Sequence, residues 1–290
     1  EKEMILKEYN YFLQAEERLL SIPLWVSFTP VQYGNSETGR GVYVSSHGQS
    51  PDLLAFGAGA GGRIGNAQYL MTADINKYIP EYSGPGKNKA TIHQLLSHTS
   101  GIPNHGAIPN LSKKLVRWYY DTDQYLDLIK NIELKFEPGT GFAYSGIAYN
   151  LLAIICEKVS KKDFSYLLKE RIFIPLEMNN TKHDKNLDIE LKRADGYEYH
   201  LLEGYMHPSY IEMCHVKGSG GVLSTVEDLA KFNNECFNEQ RLISKDLYKN
   251  MFTRHIKDWQ YYGYGWWITD KIINSDTLTL ISHGGSTDGY

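Results

Sequence analysis

The hydrophobic pattern of this chain changes period several times, and each change marks an element. Between residues 3 and 20, Ile5, Tyr9, Phe12, Leu13, Leu19 and Leu20 fall near helical spacing among charged residues. Side chains three or four apart share a helix face, so an amphipathic opening helix is predicted. From about 22 to 68 that pattern dissolves into Gly, Ser, Ala and Pro, with the run GAGAGG from Gly57 to Gly62. The stretches 24–28 and 41–46 predict short strands there. Past residue 70 helical spacing returns. A short helix opened by Thr91 is predicted over 90–98, and another over 121–132 with acidic residues in its first turn, where they suit the helix dipole. A strongly apolar helix follows over 145–159, and a further one over 162–173. Residues 224–237 begin with Ser/Thr and an acidic residue three or four positions on, a capping-box-like entry, and 244–252 read as a last helix. The segments 262–270 and 277–285 read as strands, the second alternating before a Gly-rich end. Strands at both ends of a helical middle predict an α+β fold with a helical subdomain inserted into a sheet domain.

Composition narrows the function classes. With 290 residues, 42% hydrophobic and 22% charged, the chain has material for one large domain with a real core. A net charge of −4 with no basic stripe argues against nucleic acid as a partner. No run reaches the roughly 18 apolar residues of a membrane span, and no signal-peptide pattern is present. Because the chain opens at Glu1 rather than Met, a processed or trimmed start is expected. The 22 tyrosines are read chiefly as half-buried packing residues. Cys156, Cys214 and Cys236 follow no metal-ligand spacing and cannot all pair within one chain. His93, His98 and His105 are five and seven positions apart, so no pair has the i, i+4 separation of a helical metal site. No metal and no cofactor is implied.

Four segments carry the chemistry: TIHQLLSHTSGIPN (91–104), FEPGTGFAYSGIAYNLLAIICEKVS (136–160), GSGGVLSTVEDLAKF (218–232) and SHGGSTDGY (282–290). In this order and spacing, from about Leu70 to Tyr290, they resemble the serine β-lactamase/D,D-peptidase family, which includes penicillin-binding proteins. The resemblance implies a β-lactamase/transpeptidase-like α+β fold, an antiparallel sheet flanked by helices with an inserted helical subdomain. It implies acyl transfer through a serine ester to water, on a β-lactam, a D-Ala-D-Ala peptide or a small ester. Tyr144 then takes the place of the proton-relay tyrosine. With an ordinary pKa of about 10 it needs neighbouring positive charge to act near neutral pH. Gly146 stands where the Tyr-x-Asn pattern has its amide. His283 takes the first place of the Lys/His-x-Gly strand motif, where it would hydrogen-bond Tyr144 or a substrate carboxylate. Gly284 and Gly285 let the backbone approach substrate closely, and the Ser286 N–H is the oxyanion donor. The partner is a small-molecule or peptide substrate, and the location extracytoplasmic.

One element of that family is missing. The nucleophile and its lysine normally lie one helical turn apart as Ser-x-x-Lys, so that both share a face. No serine in this chain is followed by lysine three positions later, and no lysine occurs between Lys7 and Lys77. The family places the motif near residues 48–55, inside that gap. Ser45, Ser46 and Ser50 have no lysine one turn on, and none is nominated. The stretch of about 20–70 is therefore expected to be replaced text, such as a shifted reading frame. The competing expectation is an inactive member that keeps the cleft for binding. The family also continues through further strands and a closing helix beyond the equivalent of Tyr290.

Overall fold

The structure, a computed structural model, describes residues 71–111, 115–191, 193–256, 261–273 and 276–285. The predicted opening helix at 3–20, the strands at 24–28 and 41–46, and Ser286 lie outside the described residues. Among those described, no helix is long and apolar enough to cross a membrane.

The helices form where their caps say they should. Helix α1 (Ile92–Leu96) opens with a reciprocal box, the Thr91 side chain accepting from the Gln94 N–H and the Gln94 side chain accepting from the Thr91 N–H. Helix α2 (Thr122–Ile129) uses Asp121 and Gln124 in the same way. Helix α3 (Gly146–Ser160) starts at a Ser145 cap and stops where Lys161 turns left-handed at φ 59°. Every residue from Gly146 to Cys156 is buried, the mark of a helix in the middle of a core rather than on its surface. Each fully buried Leu or Ile there contributes about 1.5–3 kcal/mol. Helix α4 (Phe164–Leu168) runs into a wider π turn, Lys169–Phe173. Helix α5 (Val226–Asn234) does the same at Glu235–Glu239, and α6 (Lys245–Met251) opens at a Ser244 cap.

Three antiparallel pairs of strands accompany them among the described residues. Strand β1 (Lys182–His183) pairs with β4 (Val222–Leu223), and β2 (Glu198–His200) with β3 (Gly204–Met206). Strand β5 (Trp267–Ile273) pairs with β6 (Asp276–Ser282), the register closing at Trp267 opposite Ser282. The α+β expectation holds. Two boundaries differ from it. The aromatic run 262–266 is a turn, not the start of a strand: Gly265 has φ +77°, and the Gly263 N–H donates to the Trp266 carbonyl at 2.8 Å. A side chain at Gly263 would meet the Met251 carbonyl at 2.1 Å, so only glycine passes there. Strand β6 ends at Ser282, one residue earlier than a strand carrying His283 would require.

Two contacts fix α3 against its neighbours. The Tyr149 hydroxyl donates to the Leu96 carbonyl at 2.7 Å, joining α3 to α1. The Gly218 N–H donates to Asn150 Oδ1 at 2.9 Å, and a Cβ on Gly218 would lie 2.2 Å from the Tyr149 carbonyl. The glycine in GSGG is thus a close-approach residue that lets the loop before β4 lie on α3.

Candidate active site

One wall of the candidate site is built where α1 hands the chain to the loop before α3. His98 follows α1 in the left-handed region at φ 58° and is completely buried. Its carbonyl accepts the Ala143 N–H at 2.9 Å, and its Nδ1 accepts the Ser145 N–H at 3.1 Å. An accepting Nδ1 leaves the proton of the neutral ring on Nε2. Burial, and then the nearby His283, hold the His98 pKa well below its ordinary value. His98 is therefore a neutral plate at pH 7. Its ring centroid lies 4.4 Å from that of Tyr144, 5.1 Å from Tyr149 and 4.9 Å from Tyr262. Tyr144 is held in place by this plate and by the start of α3 two residues on.

That start is tied down tightly. The Ser145 hydroxyl donates to the Pro103 carbonyl at 2.9 Å and accepts the Ala148 N–H at 3.0 Å. The Gly146 N–H donates to Asn104 Oδ1 at 2.9 Å. Two loops far apart in sequence, 103–104 and 144–146, are thereby fused into one surface.

The facing wall comes from the end of β6. His283 lies just past the strand, its Nε2 3.1 Å from the Tyr262 hydroxyl. Its ring centroid is 6.0 Å from that of Tyr144 and 6.0 Å from that of Tyr262. Gly284 and Gly285 are exposed, and a Cβ built on Gly284 meets nothing within 4 Å. The fold brings Tyr144 and His283 together and puts Gly146 in the first turn of the helix beside them. Ser286 is outside the described residues.

Three contributors were not singled out from the sequence as cleft residues: Tyr262, which holds His283; His98, which carries Tyr144; and Asn104, which holds Gly146. Only Asn104 and His98 left a trace, in the TIHQLLSHTSGIPN block. Tyr262 was hidden in an aromatic run that read as strand packing. Of the other two histidines of the trio, His93 goes elsewhere, while His105 packs beside Gly146. His93 Nδ1 lies 2.6 Å from the Tyr264 hydroxyl, and His105 Nε2 lies 3.3 Å from Asn150 Nδ2.

The Beta-lactamase family model matches residues 55–290. The chain belongs to that family. The match begins inside the stretch set apart by its composition, so the family pattern reaches further toward the N-terminus than the motifs alone indicated. Among curated relatives, penicillin-binding protein 4* of Bacillus subtilis is 27% identical over 243 residues, covering 74% of this chain and 50% of that protein. A putative D-alanyl-D-alanine carboxypeptidase of Escherichia coli is 27% identical over 238 residues, covering 72% of this chain and 55% of that protein. The chain spans about half the length of these relatives. The crystal structure of a D-stereospecific amidohydrolase from a Streptomyces species superimposes with a TM-score of 0.72 at 19% identity, over 88% of this chain and 78% of that one. The fold is therefore β-lactamase/transpeptidase-like, in a family of serine hydrolases.

Proposed function

We propose that the chain carries the acyl-transfer cleft of a serine hydrolase of the penicillin-binding type, acting on a β-lactam, a D-Ala-D-Ala peptide or a small ester. The observation that carries this reading is the meeting of Tyr144 and His283, ring centroids 6.0 Å apart, from two elements far apart in sequence. In the first step a serine oxygen attacks the acyl carbonyl, its proton passes to Tyr144 and then to the leaving group, and the acyl–serine ester forms. Water then attacks that ester, gives its proton back through Tyr144 and releases the acid. His283 hydrogen-bonds Tyr144 or the substrate carboxylate. Gly284 is exposed, and among the described residues no atom lies within 4 Å of where its Cβ would be, which leaves room for a ligand against the backbone. The Ser286 N–H donates to the developing oxyanion, and Gly285 keeps that approach open. The same reading puts the protein outside the cytoplasm.

A second reading is favoured by one specific observation, the absence of any Ser-x-x-Lys in the sequence. In that reading the cleft binds the same ligands without forming an ester. The serine of the first reading would come from residues 1–70, outside the described residues. Incubation of the intact chain with a fluorescent penicillin and with a fluorophosphonate separates the two. Covalent labelling, mapped by mass spectrometry to one serine, defeats the inactive reading. A folded chain that stays unlabelled but binds penicillin defeats the active one.

A further inference from the structure

Tyr262 touches both walls of the candidate site. Its side chain is completely buried. The ring packs on the His98 plate at 4.9 Å between centroids, meets Trp267 edge-on at 4.8 Å and lies 5.8 Å from Phe142. Its carbonyl accepts the His255 N–H at 3.1 Å, and a Cβ on the next residue, Gly263, would lie 2.1 Å from the Met251 carbonyl. A ring packed this closely keeps one rotamer, so its hydroxyl is a fixed point, 3.1 Å from His283 Nε2. Tyr144 rests on the same His98 ring at 4.4 Å. One buried tyrosine thus ties the position of His283 to the plate that carries Tyr144.

The contact also bears on the proton of His283. A neutral imidazole carries one N–H, and the partner of one nitrogen decides which nitrogen holds it. Of this pair the phenol is the better donor and the imidazole nitrogen the better acceptor. The favoured arrangement has the Tyr262 O–H donating to Nε2, which leaves the His283 proton on Nδ1. Whether His283 bonds Tyr144 as that hydroxyl loses its proton, or bonds a substrate carboxylate, its partner is an acceptor and His283 must donate. We propose that Tyr262 is a positioning residue for His283, holding its ring and keeping its proton on Nδ1, so that a neutral His283 acts as a donor. This rests on the acyl-substrate reading above and deepens it by naming the state in which His283 works. The titratable side chains that interact with the His283 ring are Tyr144 and His98 from the helical wall and Tyr262 from the turn before β5.

Tyr262→Phe keeps the ring against His98 and removes the hydroxyl alone. The test takes histidine ¹⁵N spectra of the intact chain and of this variant, with His283 assigned by a His283→Gln chain, and measures labelling by a fluorescent penicillin against pH. The expected result is a neutral His283 with its proton on Nδ1 in the unaltered chain, moved toward Nε2 in Tyr262→Phe. Labelling of the variant should be about tenfold slower near pH 7. The gap should narrow as pH falls, because the protonated ring donates from both nitrogens. A proton on Nε2 in the unaltered chain overturns the assignment without any variant. Slower labelling with an unmoved proton would be a loss of packing alone and also overturns it, as does a moved proton with unchanged labelling. If the unaltered chain does not label, the acyl-substrate reading falls, and the spectra still decide whether Tyr262 sets the His283 ring.

Discussion

On the helical wall of the cleft Ser145 and His98 are fully buried, and Gly146 has no room for a single extra carbon. On the strand wall Gly284 is exposed, and an extra carbon would touch nothing among the described residues. The two glycines belong to the same candidate site, yet the described residues crowd only the first. This difference separates two questions that a motif match merges. Substitution at His98 or Gly146 on the helical wall disturbs folding before it disturbs ligand binding. Substitution at Gly284 leaves folding alone and reads out the ligand.

The largest effect is expected at the plate under Tyr144. Replacing His98 by Ala removes a completely buried ring and the acceptor of the Ser145 N–H, so a loss of about 3–5 kcal/mol is expected in urea unfolding. Should the loss be under about 1 kcal/mol, the helical wall is not as strictly determined as described. Next comes Gly146→Ala. Alanine is ordinarily the better helix residue by up to about 1 kcal/mol, but here its Cβ would collide with His105. A net destabilisation of about 1–3 kcal/mol is expected, most of it recovered when His105→Ala is added in a double-mutant cycle.

A smaller effect, set by pH, lies behind the same wall. His255 stacks on Tyr264 at 4.2 Å between centroids, and His93 meets it edge-on at 4.9 Å. Burial, and then His93, lower the His255 pKa from 6.5 to about 4, and burial lowers that of His93. Between pH 6.5 and about 4 the folded chain binds fewer protons at these rings than the unfolded chain does. Stability contributed by the neutral pair is therefore complete above the unfolded value and falls as pH drops through that window. Urea midpoints across the window should show this slope, and His255→Gln should flatten it. The smallest stability effect is expected at Gly284→Ala, within about 0.5 kcal/mol of the unaltered chain. Its affinity for a fluorescent penicillin should nevertheless fall. Unchanged affinity there would erase the contrast between the walls.

Much of the helical wall was legible in the sequence because it depends on local signals. The apolar run 145–159 gave α3 to within a residue of its observed start, and Thr91 gave α1. The strand wall was legible as an antiparallel pair, but its ends were not. Tyr262 to Trp266 alternate like a strand, and only Gly265 in the left-handed region reveals the turn. The support of His283 by Tyr262, and of Gly146 by Asn104, joins residues far apart in sequence, and no spacing rule reports such contacts. Gly146 itself read as an amide either lost or supplied from elsewhere, and the His105 side chain that crowds its space belongs to another segment.

The central claim is that Tyr144 and His283 face one ligand in this cleft, and removing a single oxygen tests it. The labelling rate of the intact chain by a fluorescent penicillin should be measured beside that of Tyr144→Phe, which keeps the ring against His98 and loses only the hydroxyl. The account predicts a folded variant whose labelling is slower by about a hundredfold or more. A folded Tyr144→Phe chain that labels at the rate of the unaltered chain would contradict it.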